Sequence, residues 1–415
     1  GPYIQQVGGQ LGTIEARPDE DVSDFKSFGN AKNAISTHKL YEELHEDNDN
    51  EVDQVMYLKA RLFDILVNDW DRHEDQWRWA EFKKEKGSIY RPIPRDRDQA
   101  FTKYDGVLPR LISNLVPDLQ SFEYEIKDVA KLSIAARNLD RNFLNKLTHE
   151  QWLKIAFEVQ TKLTDKVIED AVRNMPPEVF DKSGAEIIAK LKSRRNEITR
   201  AAEEYYQVLS KEVTVTGTDK HEYVAIYNGS NYTTLQVYKI DSERKIDNKI
   251  FERTFFNYET NELNFYALGG RDSIVVTGQS PTIKIRIVGG EDQDYFADNT
   301  TKTGRNVIVY DVIENESSIH AGKNTKLALS KYESVHEYNR NAFKYDKSGV
   351  IPSFDYNVDD GLFIGAGFSL KHYGFRKEPY SYTQLIKGNY APRTRAHSIS
   401  YAGNIYSIFG RNKDI

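Results

Sequence analysis

The stretch from Asp64 to Phe101, DILVNDWDRHEDQWRWAEFKKEKGSIYRPIPRDRDQAF, is the most informative part of the chain. It places the triplet Asp71–His73 one strand–turn–strand ahead of a second charged triplet, Asp96–Asp98. A phosphoryl-transfer site needs one carboxylate that orients a hydroxyl and another that holds a metal ion against phosphate charge. Two acidic clusters on neighbouring loops could supply both, so this stretch predicts where chemistry would occur.

The strings DRHEDQW and PRDRDQAF resemble the spore-coat-protein-H kinase family, whose pattern is roughly D-R-H-x-x-N-W followed by P-W-D-x-D-x-x-F. The resemblance implies an atypical kinase-like fold that binds a nucleotide with Mg²⁺ or Mn²⁺. The roles it implies are catalysis for Asp71, Arg72 and His73, metal binding for Gln76, Asp96 and Asp98, and cofactor phosphate binding for Arg97. Gln76 stands where the family has Asn, and its longer side chain would shift the ligating oxygen.

The same residues fit a second interpretation. Arginines and aspartates occur in nearly equal numbers in this stretch, as they would in a buried salt-bridge network that holds a helix end against a hairpin. Such networks use the same residue types as catalytic sites do. Both interpretations stay open at the level of sequence.

Composition limits the other classes of function. A chain of 415 residues predicts two to four domains, and its net charge of -6 gives no support to nucleic-acid binding. Cysteine is absent, which excludes disulfides, cysteine-bound zinc and thiol nucleophiles. No run of apolar residues is long enough for a transmembrane helix. Gly1-Pro2 is interpreted as a protease scar, and both ends as cuts from a longer protein.

The hydrophobic periodicity predicts an α+β multidomain chain. Residues 1–212 are expected to form a kinase-like α+β domain with a mainly helical C-terminal lobe, since apolar residues recur there every three or four positions. The period then changes to two, which predicts an all-β domain over 213–312. Residues 313–357 are interpreted as a linker, and 358–415 as the opening strands of an outer-membrane-type β-barrel.

Within the β domain, LGGRDSIVVTG and VGGEDQDYFADN repeat a Gly-Gly-x-Asp-like unit. The unit resembles a degenerate form of the repeats-in-toxin turns that bind Ca²⁺ between the rungs of a parallel β-roll. Glycine allows a positive φ, and carboxylates supply the hard oxygen ligands that Ca²⁺ prefers. Structural turns and a Ca²⁺ site are both open, with Asp272, Asp292 and Asp294 as the candidate ligands.

The last sixty or so residues contain alternating strands of about ten residues with aromatic ends, the pattern of transmembrane β-strands. They resemble the start of the barrel in the bacterial surface-antigen family. The matching residues are Asp359, Asp360, Gly361, Gly365, Gly374, Phe375, Pro379 and Tyr380. An amphipathic sheet on a soluble domain is the alternative.

The order of parts resembles multidomain, metallophosphoesterase-linked surface-antigen proteins of the Bacteroidota, although no phosphoesterase metal motif occurs here. The resemblance implies a location in the bacterial outer membrane, with a periplasmic soluble part, contact with the membrane through the C-terminal strands, and envelope proteins as partners. Two functions are therefore predicted: a kinase-like phosphotransferase, or a non-catalytic scaffold or client-recognition module of a barrel.

Overall fold

The computed structural model describes residues 27–106, 119–301 and 306–406. Its architecture is mixed α/β with several sheets, which agrees with the predicted α+β class in its broad outline. The chain divides into two compact units, Gly1–Tyr338 and Asn339–Ile415. Parts of the predicted domains, at 1–26, 107–118, 302–305 and 407–415, lie outside the described residues. No helix in the described part is long and apolar enough to cross a membrane.

The first unit begins with a small sheet whose strands are ordered β1-β3-β4-β2. These strands are β1 (Ala34–Ser36), β2 (Glu51–Val52), β3 (Trp77–Lys83) and β4 (Ser88–Pro94). The helices around it are α1 (Thr37–Glu46), α2 (Gln54–Val67), α3 (Val129–Leu132), α4 (Arg137–Phe143), α5 (His149–Lys162), α6 (Asp165–Val172), α7 (Pro177–Val179) and α8 (Ala185–Ser210). A π-helical turn, Phe180–Gly184, leads into α8.

Local sequence explains where these helices begin and how they pack. Helix α5 starts in a capping box, in which Thr148 and Gln151 each satisfy a backbone N–H of the other. The core between α2, α4 and the sheet is aromatic, with Tyr57 edge-on to Trp77 and Trp79 edge-on to Phe143 at ring distances of 5.0 Å. Trp77 and Trp79 are fully buried and therefore pack in this core.

The strands after α8 form a parallel β-solenoid, in which successive turns of chain stack as rungs. One sheet has the order β15-β13-β11-β9-β5, and its strands pair in parallel. The second has the order β14-β12-β10-β6-β7-β8 and is parallel from β14 to β6. The strands are β5 (Glu212–Thr216), β6 (Glu222–Asn228), β7 (Tyr232–Ile240), β8 (Ile246–Phe256), β9 (Glu262–Tyr266), β10 (Ser273–Gly278), β11 (Lys284–Val288), β12 (Tyr295–Asp298), β13 (Val307–Val312), β14 (Ser318–His320) and β15 (Thr325–Ser330).

The register of the strands shows which residues of adjacent rungs lie above one another. Asp272 and Asp294, which lie just before β10 and β12, are stacked neighbours 22 residues apart. Between the two sheets, Val213, Leu263, Ile285 and Val307 lie directly above one another on adjacent strands and are buried. Alternate positions of the central strands therefore build one continuous apolar core, as in other stacked-repeat folds.

The observed boundaries differ from those that we predicted. The range 313–357, interpreted as a linker, contains β14, β15 and the whole of a further strand, β16 (Lys347–Asn357). β14 and β15 pair with β12 and β13, so the solenoid continues past residue 312. β14 and β15 end the stack, so they are exposed on one side. Their sequences are correspondingly polar, and their apolar periodicity is weak.

The second unit contains an antiparallel sheet in the order β16-β17-β18-β19. The remaining strands are β17 (Gly361–His372), β18 (Tyr382–Ala391) and β19 (Ala396–Ile405). The register places most of the apolar side chains on one face, and these are largely exposed: Val350, Phe354, Leu362, Ile364, Phe368, Ile386, Tyr390, Ile399, Tyr401 and Ile405. Three apolar side chains, Ile351, Phe363 and Leu385, point the opposite way. Lys371, Lys387, Asn389, Ser400 and Asn404 lie on the other face.

Candidate functional site

The two charged triplets lie at the same end of the β3–β4 hairpin. Helix α2 ends at Asn68, whose left-handed backbone conformation turns the chain into the loop 69–76 that leads to β3. After β4, the chain forms the turn 95–98, and the Arg95 N–H donates to the carbonyl oxygen of Gln76 over 2.9 Å. The order helix, loop, hairpin and acidic turn therefore brings Asp71–His73 and Asp96–Asp98 to one edge.

Arg72 holds the loop and the turn together. Its side chain is fully buried, and Nη1 donates to the carbonyl oxygens of Arg95 and Asp96 over 2.6 and 3.1 Å. Nη2 donates to the carbonyl oxygen of Gln76 over 3.2 Å, and the guanidinium lies 4.7 Å from the Trp77 ring centre. These contacts make Arg72 a positioning residue rather than the catalytic group that the resemblance implied.

A buried ion-pair network supports this arrangement from below. Asp64, also fully buried, lies 2.9 Å from both Arg61 Nη1 and Arg97 Nε and 3.3 Å from Arg72 Nε. Arg61 continues the network to Asp140 on α4, with Nε 2.9 Å from Oδ1. The ion-pair interpretation of the sequence therefore accounts for the positions of Arg72 and Arg97. The network also includes Asp64 and Asp140, which were not among the predicted site residues.

The remaining predicted residues face solvent. Asp96 and Asp98 are exposed, whereas Asp71, His73 and Gln76 are partly exposed. Asp96 has a positive φ of 49°, a conformation that aspartate tolerates better than most residues and that is common at functional turns. The loop and turn thus present carboxylate, imidazole and amide groups outward, while the arginines that fix the backbone lie beneath.

His73 is oriented by its own loop. Its Nδ1 accepts the Asp75 N–H over 3.3 Å, and its Nε2 faces Asp71 and Gln76. That Nε2 lies 3.8 Å from Asp71 Oδ1 and 3.4 Å from Gln76 Nε2. Asp71, His73 and Gln76 are therefore adjacent.

Asp69 is a further buried carboxylate, one of the aspartates that the ion-pair interpretation of the sequence included. Burial raises its pKa to about 6, against the opposing effect of Arg72, whose Nη1 lies 3.4 Å from Asp69 Oδ2. The other oxygen, Oδ1, has no hydrogen-bond partner among the described residues. The position of Asp69, directly after the helix end and before Trp70, was the available signal that it would be enclosed.

The predicted metal ligands do not form a complete cluster. Within residues 27–106, 119–301 and 306–406, no three His, Cys, Asp or Glu side chains are grouped so that they could hold a metal ion. Asp96 and Asp98 with the Gln76 amide would supply two carboxylates and one neutral oxygen. Mg²⁺ usually takes one or two carboxylates and keeps water or substrate phosphate as its other ligands, so this donor set fits a metal bound together with a nucleotide.

The residues predicted for Ca²⁺ instead form a carboxylate ladder along the solenoid. The Glu222 N–H donates to Asp272 Oδ1 over 2.8 Å, the Asp272 N–H to Asp294 Oδ1 over 2.9 Å, and the Asp294 N–H to Ser317 Oγ over 3.0 Å. Asp292 accepts from the Gly270 N–H over 3.2 Å. Each carboxylate therefore binds the backbone of a neighbouring rung, which is the structural-turn alternative.

Burial of this ladder raises the pKa values of two of its aspartates, Asp272 and Asp294. The pKa of Asp294 is raised to about 6 by burial, with opposing contributions from the backbone N–H groups of Gly290 and Asp272. Burial and the nearby Glu222 and Asp294 charges raise the pKa of Asp272 well above its usual value. Asp311, whose carboxylate lies 2.8 Å from His336 Nε2, is the next charged group toward the end of the stack.

Comparison of the chain with known protein families, with curated proteins and with solved structures found no match.

Proposed function

We propose that loop 69–76 and turn 95–98 form an atypical kinase-like site that binds a metal–nucleotide complex and transfers a phosphoryl group. The observation that carries the proposal is the Arg72 contact between the two segments, with Asp71 and Asp96 left accessible beside it. A purely structural ion-pair network would not require the carboxylates of Asp71 and Asp96 on the solvent side of the buried arginines. The same fixed pairing of a loop carboxylate with a turn carboxylate is what kinase chemistry requires.

In this proposal each accessible side chain has a separate role. Asp71 accepts a hydrogen bond from the acceptor hydroxyl and receives its proton, and His73 limits the rotation of Asp71 through the Nε2 side of its ring. Gln76, Asp96 and Asp98 provide the oxygens for Mg²⁺ or Mn²⁺, which would neutralise phosphate charge. Arg97 is held by Asp64 at 2.9 Å and lies 5.0 Å from the Phe63 ring, and its half-buried guanidinium would act on phosphate only from that position.

The test is a thermal-shift titration of the full chain with ATP and with ADP, each with and without Mn²⁺. A ligand at a hundred times its dissociation constant stabilises a protein by about 2.7 kcal/mol, a readily measured shift. We expect a Mn²⁺-dependent shift that is lost in Asp96→Ala. Asp247→Ala, an exposed carboxylate on β8, is the matched control and should keep it.

An absence of any nucleotide-dependent shift in the wild type would contradict the kinase-like proposal. The non-catalytic alternative, a scaffold or client-recognition module of an outer-membrane barrel, would then be the better interpretation of the same residues. A shift of equal size in wild type and Asp96→Ala would also count against the assigned metal site, because it would locate nucleotide binding elsewhere.

We further propose that the sheet of the second unit lies against lipid, as the opening strands of an outer-membrane-type β-barrel, with the first unit in the periplasm. The supporting observation is the register, which places most of the apolar side chains, among them Phe354, Ile386 and Ile399, on one face and Lys387 and Asn389 on the other. The strands are 10 to 12 residues long. At about 3.3 Å per residue and a tilt near 40°, that length matches a hydrocarbon band of about 25 Å.

The absence of cysteine from the sequence makes this second proposal directly testable. Ile399→Cys and Ser400→Cys, neighbours on β19 that point to opposite faces, would each carry an environment-sensitive fluorophore. In phosphatidylcholine vesicles with brominated acyl chains, the label at 399 should be blue-shifted and quenched, and the label at 400 should not. Equal quenching at both positions, or none at either, would contradict lipid contact by this face.

A further inference from the structure

A polar cleft of about 680 Å³ opens in the first unit, away from the loop and turn described above. Its walls are the β3–β4 turn, the chain between α4 and α5, and strands β5, β7 and β8. The volume lies within the range of small-molecule sites. None of the residues that line it belongs to loop 69–76 or turn 95–98, so it is a separate feature.

The charge of the cleft is opposite to that of the chain. Five lysines line it, namely Lys84, Lys86, Lys146, Lys239 and Lys249, against three carboxylates, Asp49, Glu51 and Glu85. The whole chain has a formal net charge of -6. Lysines contributed by three separate parts of the fold therefore concentrate positive charge where the overall composition would not predict it.

Some of these lysines are neutralised within the cleft and others are not. Lys84 pairs with Glu51 over 2.8 Å, and Lys239 pairs with Asp49. Lys146 is different, because its Nζ donates to a neutral group, the carbonyl oxygen of Ile250, over 3.2 Å. No carboxylate partner of Lys146 occurs among the described residues, so its half-buried charge has no counterion there.

The backbone around Lys146 is fixed in advance. Its N–H donates to Gln54 Oε1 over 3.0 Å, and the neighbouring Asn145 donates through Nδ2 to the Thr214 carbonyl oxygen over 3.0 Å. Thr214 and Thr216 of β5 add hydroxyl groups to the same wall. A positive charge and hydroxyl donors on a rigid wall suit an anion with several acceptor oxygens, and lysine commonly serves as the point charge for phosphate.

We infer that this cleft binds a phosphate-bearing small molecule through Lys146. Ile250 and Phe251 provide apolar surface beside the lysine, which would contact the organic part of such a ligand. The assignment does not depend on the kinase-like site, because no metal and no nucleotide base are needed for the contacts that carry it.

Isothermal titration calorimetry of the full chain in EDTA tests the inference, with glucose 6-phosphate, glucose and inorganic phosphate as probes. Glucose 6-phosphate should bind saturably and glucose should not. Binding of inorganic phosphate with similar affinity would support the site with a free-phosphate ligand. EDTA removes the metal on which the kinase-like site depends, so the two proposals can fail separately.

Lys146→Met, which keeps the length of the side chain, should weaken phosphate binding at least tenfold. Lys154→Met, an exposed lysine on α5 that does not line the cleft, should leave it unchanged. Circular dichroism would establish that both variants are folded. The inference is overturned if no phosphate probe binds the wild type at millimolar concentration, or if the two variants weaken binding equally.

Discussion

At the residue scale, the first charged triplet divides into groups with different tasks. Arg72 points into the protein and binds carbonyl oxygens of the neighbouring turn, whereas Asp71 and His73 remain partly accessible. The sequence allowed two interpretations of this triplet, a site or an ion-pair network, and the structure contains features of both. Hydrophobic periodicity could not distinguish the two interpretations, because the path of loop 69–76 across the hairpin decides which side chains of the triplet are buried.

Replacing Arg72 by lysine should destabilise the protein although it keeps the charge. A lysine ammonium cannot reach the carbonyl oxygens of Gln76, Arg95 and Asp96 together, because the planar guanidinium fork is lost. With buried acceptors left unpaired, we expect a loss of about 2–4 kcal/mol in the free energy of unfolding, measured in urea. Arg91→Lys, an exposed arginine on β4, is the control, and an equal loss in both variants would contradict the assigned role.

At the element scale, the solenoid shows what alternation in a sequence can and cannot predict. The strands of 213–312 were predictable because apolar residues alternate, and two rungs were suggested by their Gly-Gly pairs. The full stack was not predicted, because the ladder uses Glu222, Asp272, Asp294 and Ser317, which share a position in the rung but no single residue type. Leu263, Ile285 and Val307 at matching places were the usable signal.

The ladder should make the solenoid more stable in mild acid. Because the folded-state pKa of Asp294, about 6, exceeds the value of about 3.9 in an unfolded chain, folding takes up a proton between these values. Its contribution is therefore greatest below pH 4 and falls as the pH rises to 6, by up to about 3 kcal/mol. Urea unfolding at pH 4 to 7 should show this slope in Asp247→Asn and a flatter one in Asp294→Asn. Parallel profiles would contradict it.

Gly270 is required by the rung that carries Asp272. Its φ is +81°, and a Cβ added there would lie 2.2 Å from the Lys220 carbonyl oxygen. Gly270→Ala should therefore lower the stability by about 2 kcal/mol or more, through both backbone strain and collision. Gly349→Ala, where an added Cβ meets nothing within 4 Å, should change the melting temperature little. Similar melting temperatures for the two variants would show that the rung tolerates the substitution.

At the scale of the whole molecule, the chain is two compact units joined near Tyr338. Residues 339–346 contain neither helix nor strand, and Lys344 within them is exposed. Brief digestion with a low amount of trypsin should therefore cut first after Lys344, since proteases act on exposed irregular segments. Mass spectrometry would identify the fragments, and a first cut inside the solenoid would contradict this division.

The spacing of the rungs sets how this chain can change in length. Ser273 stacks on Tyr295, Tyr295 on Ser318 and Val307 on Thr325, so successive rungs are 22, 23 and 18 residues apart. Removing one whole rung returns every later residue to the same face of its sheet and to the same step of the ladder. Removing a single residue inside a strand exchanges the inward and outward side chains of the rest of that strand. The turns between strands already absorb differences in spacing, so viable insertions and deletions in the solenoid are expected in the turns or as whole rungs, both of which leave the cross-section of the core the same.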